Sequence, residues 1–187
     1  MLIGILGGSF NPAHSGHLYI SLEAMKRLGL RQIWWVVSPQ NPLKPKEGMA
    51  PFLERLQGAK KIAKHPKIQV LDIEKKFGTS YTYDTLRRLK AQYPRHQFVL
   101  IMGADNFAEL PKWRRWHEIF RLVPIAIFNR DAFFPPIMVG KPAICFRNYR
   151  KFKTISNTPG WVFFAIGKKA ISATKIRHTG RNPLTGH

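Results

Sequence analysis

Leu2-Ile3-Gly4-Ile5-Leu6-Gly7-Gly8-Ser9-Phe10-Asn11-Pro12-Ala13-His14-Ser15-Gly16-His17 is the stretch on which the fold turns. Residues 2–6 are apolar and read as a short buried strand, and a glycine pair follows at once. Behind it Leu18, Leu22, Met25 and Leu28 recur at helical spacing, and Gly29 stands where a helix stops. Strand, glycine turn and helix in immediate succession open a βα unit. In an open α/β sheet such a turn lies beyond the carboxyl ends of the strands, where ligands bind.

The alternation continues outward from this unit. Residues 32–37 form a second strand dense in β-branched and aromatic side chains. Residues 38–50 hold Pro39, Pro42, Pro45 and Gly48, which predicts a long loop of the kind often used as a lid or binding segment. Pro51 takes the favoured first position of a helix carrying Leu53, Leu56 and Ile62, which His65-Pro66 ends. Further strands are expected at 68–73, 98–102 and 124–128. Ser80 or Thr82 caps a helix running to Tyr93 and stopped by Pro94, and 113–122 form a basic, aromatic helix. The last third is less regular: a Pro-rich loop at 133–142, a basic run at 147–153, a strand at 161–166 and a short helix beginning near Ser172. No repeat and no separating linker interrupts the chain. The expectation is one domain over 1–187, of class α/β: a doubly wound, Rossmann-like parallel sheet with helices on both faces.

Composition narrows the setting. With 187 residues, 44% apolar and 22% charged, the chain has an ordinary globular make-up and can bury a sizeable core. The opening apolar run breaks at Gly7, too short for a signal-peptide core, and no stretch nears the roughly 20 apolar residues of a membrane helix. The lone Cys145 leaves no intramolecular disulfide. A cytoplasmic protein without a membrane partner is expected. The charge is less ordinary, since 31 Lys and Arg against 10 Asp and Glu leave +21. It is scattered in pairs such as Lys60-Lys61 and Arg87-Arg88, apart from the run at 147–153, and reads mainly as solvated surface. A basic nucleic-acid-binding protein is the alternative from another class, but it leaves the histidines unexplained.

Gly7 and Gly8 let the backbone approach a phosphate, and the amides of Ser9 and Phe10 follow as donors. His14 and His17 are three apart and share a face at the start of a helix, whose N-terminus adds partial positive charge. No carboxylate or cysteine between Leu2 and Leu22 completes a metal site with them, so no metal ligands are assigned. Neither a P-loop nor a dinucleotide fingerprint is present.

The string Gly-Gly-Ser-Phe-Asn-Pro-x-His-x-Gly-His resembles the signature of the nucleotidylyltransferase superfamily. A second signature of that superfamily stands at Ile171-Ser172-Ala173-Thr174-Lys175-Ile176-Arg177. Three further segments resemble bacterial nicotinate-nucleotide adenylyltransferases: Ser80 to Leu86, Met102 to Asn106, and Leu110 to Trp113. The resemblance implies attack by a nucleotide phosphate on the α-phosphorus of ATP, with magnesium carried on ATP and nicotinate mononucleotide as the acceptor. It implies His17 and His14 on the phosphates, His17 foremost, with Gly103, Asp105, Ser172, Thr174 and Arg177 completing the ATP site. Ala173 stands where many members have serine. For the acceptor it implies Trp113 stacked on the pyridine and the backbone amides of Thr82 and Arg114 on the carboxylate. Asp105 would accept from a ribose hydroxyl, with a helix cap as its alternative. Lys44 and Arg55 are candidate phosphate contacts whose alternative is a solvated surface role. Asn11 replaces a frequent aspartate, which matters little if that position only shapes the turn. Nicotinamide mononucleotide and phosphopantetheine are the rival acceptors, and the assembly, a homo-oligomer included, stays open.

Overall fold

Apolar runs form the strands β1 (Leu2–Gly8), β2 (Gln32–Val37), β3 (Ile68–Leu71), β4 (Gln97–Gly103), β5 (Ile125–Asn129), β6 (Arg150–Lys151) and β7 (Trp161–Ala165). These belong to a computed structural model that describes residues 1–40, 47–129, 139–151 and 158–166. The strands pair in parallel throughout, in the order β3-β2-β1-β4-β5-β7-β6. The chain winds outward from β1 through β2 to β3, then returns to the other side of β1 with β4. The winding therefore reverses between β1 and β4, the switch point at which ligands enter such sheets.

Helices cover both faces, as the alternation predicts. They are α1 (Ser15–Leu28), α2 (Phe52–Ile62), α3 (Ile73–Phe77), α4 (Thr82–Gln92), α5 (Ala104–Glu109), α6 (Trp116–Leu122) and α7 (Lys141–Cys145). Side chains along a strand point alternately to its two faces, and the two cores divide accordingly. Ile5, Trp34 and Leu100 are in register and pack under α4, α5 and α6 with Leu86, Phe107 and Phe120. Leu6, Trp35 and Ile101, one residue on, pack under α1 and α2 with Ile20, Ala24 and Ala59. Each large side chain so buried contributes about 1.5–3 kcal/mol. Gly4 lies where the sheet is tightest. A Cβ there would come within 2.5–2.9 Å of the Cδ1 atoms of Ile101, Ile33 and Leu30.

The structure corrects several boundaries. β1 runs on through Gly7 and Gly8, because both pair with Val36 and Val37 of β2. Pro51 is the cap before α2 and not its first residue, and Tyr81 holds that position before α4 in place of Ser80 or Thr82. The third strand stops at Leu71, and Ile73 starts the short α3, closed by Gly78 in a left-handed conformation. The helix expected at 113–122 begins only at Trp116; a 3-10 turn (Leu110–Lys112) and an extended Trp113 precede it. The last third holds α7 and the two-residue β6, neither of which its Pro-rich and basic composition announces. The helix expected near Ser172 lies outside the described residues. No helix among the described residues is long and apolar enough to cross a membrane.

Candidate active site

The strand β1 ends against β2, and the chain turns at Phe10, not at a glycine. Phe10 has φ 47°, a conformation uncommon for a residue with a side chain. Burial offsets that strain: the ring is 2% exposed and stacks on Trp35 at 5.1 Å. Phe10 also lies 4.8 Å from the His17 ring, so it packs against that histidine. Trp35 Nε1 donates to Ser21 Oγ, which donates to the His17 carbonyl, both at 2.8 Å. The first turn of α1 is thereby fastened to the sheet.

His14 and His17 cap α1 reciprocally. Gly16 N–H donates to His14 Nδ1 at 3.1 Å, and His14 N–H donates to His17 Nδ1 at 3.2 Å. A ring nitrogen that accepts carries no proton, so each imidazole holds its hydrogen on Nε2. The pair thus presents two N–H donors at a helix N-terminus, with ring centroids 3.9 Å apart. Positive helix charge and two neutral donors suit the binding of an anion. His14 is 4% exposed and His17 is half-buried.

Arg55 departs most from expectation. It is 3% exposed and faces no solvent. Its guanidinium donates to the carbonyls of Ser9, Ser38 (2.8 Å), Pro39 (2.8 Å) and Ala50 (2.9 Å). One side chain on α2 so ties the turn after β1 to both ends of the loop after β2. Burial lowers its pKa from the ordinary value, though an arginine remains charged at neutral pH. Asn11 makes a second tie: its amide donates to Gly48 O at 3.0 Å and accepts from Ala50 N–H at 3.2 Å. An aspartate could only accept, so the asparagine at this position has consequences beyond the shape of the turn.

A cleft runs from this turn across the carboxyl end of β4 to α4 and the 3-10 turn. Gly7, Gly8 and Ser9 line it together with Thr82, Trp113 and Arg114. Trp113 is half-buried against the core beneath α4 and α6, whereas Trp116 is 6% exposed and belongs to that core. Trp113 is the extended residue that ends the 3-10 turn, whereas Trp116 begins α6. Arg114 is held by Asp84 (3.4 Å) and lies over the Tyr81 ring at 5.0 Å, both near the start of α4. Gly103 caps α5, and exposed Asp105 sits in its first turn, which removes the alternative of a helix cap for Asp105. Lys44, Ser172, Thr174 and Arg177 lie outside the described residues.

Sequence reasoning missed Ser38, Glu74, Thr85 and Asn106, which also line the cleft. Asn106 and Thr85 belong to quoted motifs and were within reach. Glu74 was not, because a glutamate flanked by Lys75 and Lys76 reads as surface. It is 7% exposed, and Thr85 Oγ1 donates to its Oε1 at 3.3 Å. Burial raises its pKa above the ordinary value, offset in part by the hydroxyls of Ser38 and Thr85.

Comparison with known proteins gives this arrangement a class. Residues 5–179 match the family model described as cytidylyltransferase-like, which makes the chain a nucleotidyltransferase. The chain is 44% identical over 184 residues to the probable nicotinate-nucleotide adenylyltransferase of Parvibaculum lavamentivorans, covering 95% of this chain and 92% of the other. A second, from Cereibacter sphaeroides, is 42% identical over 187 residues, covering 97% and 99%. The chain belongs to the nicotinate-nucleotide adenylyltransferase family. Its fold is similar to that of the Plasmodium falciparum nicotinic acid mononucleotide adenylyltransferase solved with NaAD. The TM-score is 0.72 at 20% identity, covering 95% of this chain and 82% of that one.

Proposed function

We propose that this chain, as one domain over residues 1–187, transfers the adenylyl group of ATP to nicotinate mononucleotide, forming nicotinate adenine dinucleotide. An oxygen of the acceptor's phosphate attacks the α-phosphorus; the bond from that phosphorus to the bridging oxygen breaks, and pyrophosphate leaves. Such transfers give a protein little covalent chemistry, so positioning and charge stabilisation dominate. The observation that carries the reading is the single cleft joining the glycine turn beside the His14–His17 cap to Thr82 and Trp113. The turn suits a triphosphate, and Thr82 with Trp113 suits a flat ring bearing an anion.

In this reading Gly7, Gly8, Ser9 and the turn at Phe10 cradle the phosphates. The Nε2 protons of His17 and His14 meet the charge that builds as pyrophosphate departs. Gly103 and Asp105 flank the nucleotide at the switch point, and Asp105 accepts from a ribose hydroxyl. Ser172, Thr174, Arg177 and Lys44 complete the phosphate contacts by resemblance. Trp113 stacks on the pyridine, and the amides of Thr82 and Arg114 receive its carboxylate, favouring the acid over the amide. Magnesium accompanies ATP on its own phosphates. That suits a cleft whose one carboxyl among the described lining residues, Glu74, is buried among hydroxyls. A cytoplasmic enzyme is the setting in which these substrates meet.

Pyrophosphate release from ATP and magnesium, with nicotinate mononucleotide, nicotinamide mononucleotide and phosphopantetheine in turn, tests this assignment. The nicotinate substrate should be preferred. His17→Ala should lower kcat by about 10²–10³, the usual effect of removing one donor to developing charge. Release with phosphopantetheine alone would refute the acceptor, and an unchanged kcat in His17→Ala would refute the site.

A further inference from the structure

The chemistry above gives Glu74 no task, yet it is the feature of the cleft that ordinary surface chemistry explains least. Its Oε2 is buried and lacks a partner at ordinary hydrogen-bond geometry among the described residues, although the Ser38 hydroxyl lies close enough to favour the charged form. An ionised carboxylate so placed leaves a full charge poorly solvated. What surrounds it is a chain of hydroxyls. Thr85 Oγ1 lies 3.3 Å from Glu74 Oε1, 2.9 Å from Thr79 Oγ1 and 3.2 Å from the Tyr81 carbonyl. Thr79 N–H donates to the Glu74 carbonyl at 3.0 Å. The Thr85 hydroxyl has one proton and faces two acceptors, Glu74 Oε1 and Tyr81 O. A neutral carboxyl removes that conflict, because it brings its own proton and can donate to Thr85, leaving Thr85 to donate to Tyr81. These bonds bracket the turn at 79–82, from which Thr82 enters the cleft.

We propose that Glu74 is a positioning residue for the acceptor: its buried carboxyl, acting through Thr85, fixes the 79–82 turn and so the direction from which the Thr82 amide meets the acceptor's carboxylate. The inference rests on the role given to Thr82 above. An amide donor distinguishes acid from carboxamide only if it is aimed, because the carboxamide still offers one acceptor oxygen. Loosening the turn therefore erodes discrimination and acceptor binding while leaving the reacting phosphates where they were.

The test compares wild type with Glu74→Ala, Thr85→Val and Glu74→Gln by steady-state kinetics with both pyridine mononucleotides, each variant's folded fraction being measured alongside. Glu74→Ala and Thr85→Val should raise KM for nicotinate mononucleotide about tenfold, the effect of one hydrogen bond's worth of orientation. KM for ATP and kcat should stay within about twofold, and the preference for acid over amide should fall. Glu74→Gln keeps a neutral donor and acceptor in the same place and should restore the wild-type pattern. A role confined to stability would lower the melting temperature without moving KM. Unchanged KM in both disruptive variants, an equal rise in KM for ATP, or a Glu74→Gln as impaired as Glu74→Ala would each overturn the proposal. Should Glu74→Ala fail to fold, Thr85→Val decides, since it removes one hydroxyl at nearly constant volume. Wild type without any preference for the acid would instead bring down the reading of Thr82, and the proposal with it.

Discussion

Arg55→Met is the perturbation that most directly tests how the phosphate turn is held. The guanidinium supplies bonds to four carbonyls, on Ser9, Ser38, Pro39 and Ala50. Of these contacts the one to Ser38 is fully buried, so its loss leaves an acceptor without water, costing about 1–3 kcal/mol. The other three are partly buried, and water can replace the donor at about 0.5–1 kcal/mol each. Against this, methionine relieves the burial that lowers the arginine's pKa, and it keeps most of the apolar stem. The net loss should be about 2–4 kcal/mol. Urea unfolding reads it as a lower midpoint at constant slope. Arg55→Lys separates charge from geometry, since an ammonium keeps the charge but cannot span four carbonyls, and should fall between the two. In the folded fraction KM for ATP should rise in both variants, because Ser9 loses its anchor. A loss below about 1 kcal/mol in Arg55→Met, or Arg55→Lys indistinguishable from wild type, would refute the clamp.

The two neighbouring tryptophans should part company on substitution. Trp113→Ala should raise KM for nicotinate mononucleotide about tenfold with little loss of stability, whereas Trp116→Ala should cost about 3–5 kcal/mol in unfolding experiments and shift KM little. The reverse pattern would exchange their roles. Glu74 makes a prediction about pH. Its folded pKa lies above its unfolded value, so the folded state binds the extra proton between the two, and stability falls as pH rises through that window. Glu74→Gln lacks this proton. Its stability relative to wild type should therefore climb from about pH 4.5 upward and then level off, followed by urea midpoints across the range. A difference constant with pH would mean that Glu74 is not held neutral by the fold.

What could be read from the sequence divides by how far apart the cooperating residues lie. Leu2 to Gly29 contains its own instructions: a buried run, a turn and an apolar stripe closed by a glycine that takes φ 63°. Contacts among these elements need no distant partner to be foreseen. The expected sheet follows from repeating such units, because right-handed crossovers leave few alternatives. Boundaries fail where pairing overrides local preference. Gly7 and Gly8 read as a turn, but hydrogen bonding to Val36 and Val37 keeps them extended and passes the turn to Phe10. Trp113 reads as the start of a helix from its neighbours' composition, but Leu110 and Pro111 open a 3-10 turn that delays α6 by three residues. That delay is what brings Trp113 to the cleft.

The histidine pair was legible for the same local reason: a spacing of three at a helix start puts two rings together whatever the rest of the chain does. Arg55 and Glu74 were not, although they are the most buried charged side chains near the cleft among the described residues. Each sits in a helix among lysines and exposed neighbours, with nothing in its own segment to distinguish it from a solvated charge. Their burial is decided by partners that the chain supplies elsewhere. For Arg55 these are carbonyls 5, 16, 17 and 46 residues away; for Glu74, a threonine 11 residues away. Arg55, moreover, bonds groups that carry no sequence signal, a backbone carbonyl being present at every position. A substrate site built on loops needs such anchors, because the loops themselves bring few apolar contacts to hold them. It follows that the residues which contact substrate can be found by motif, whereas those that aim them emerge only when the fold has brought distant segments together.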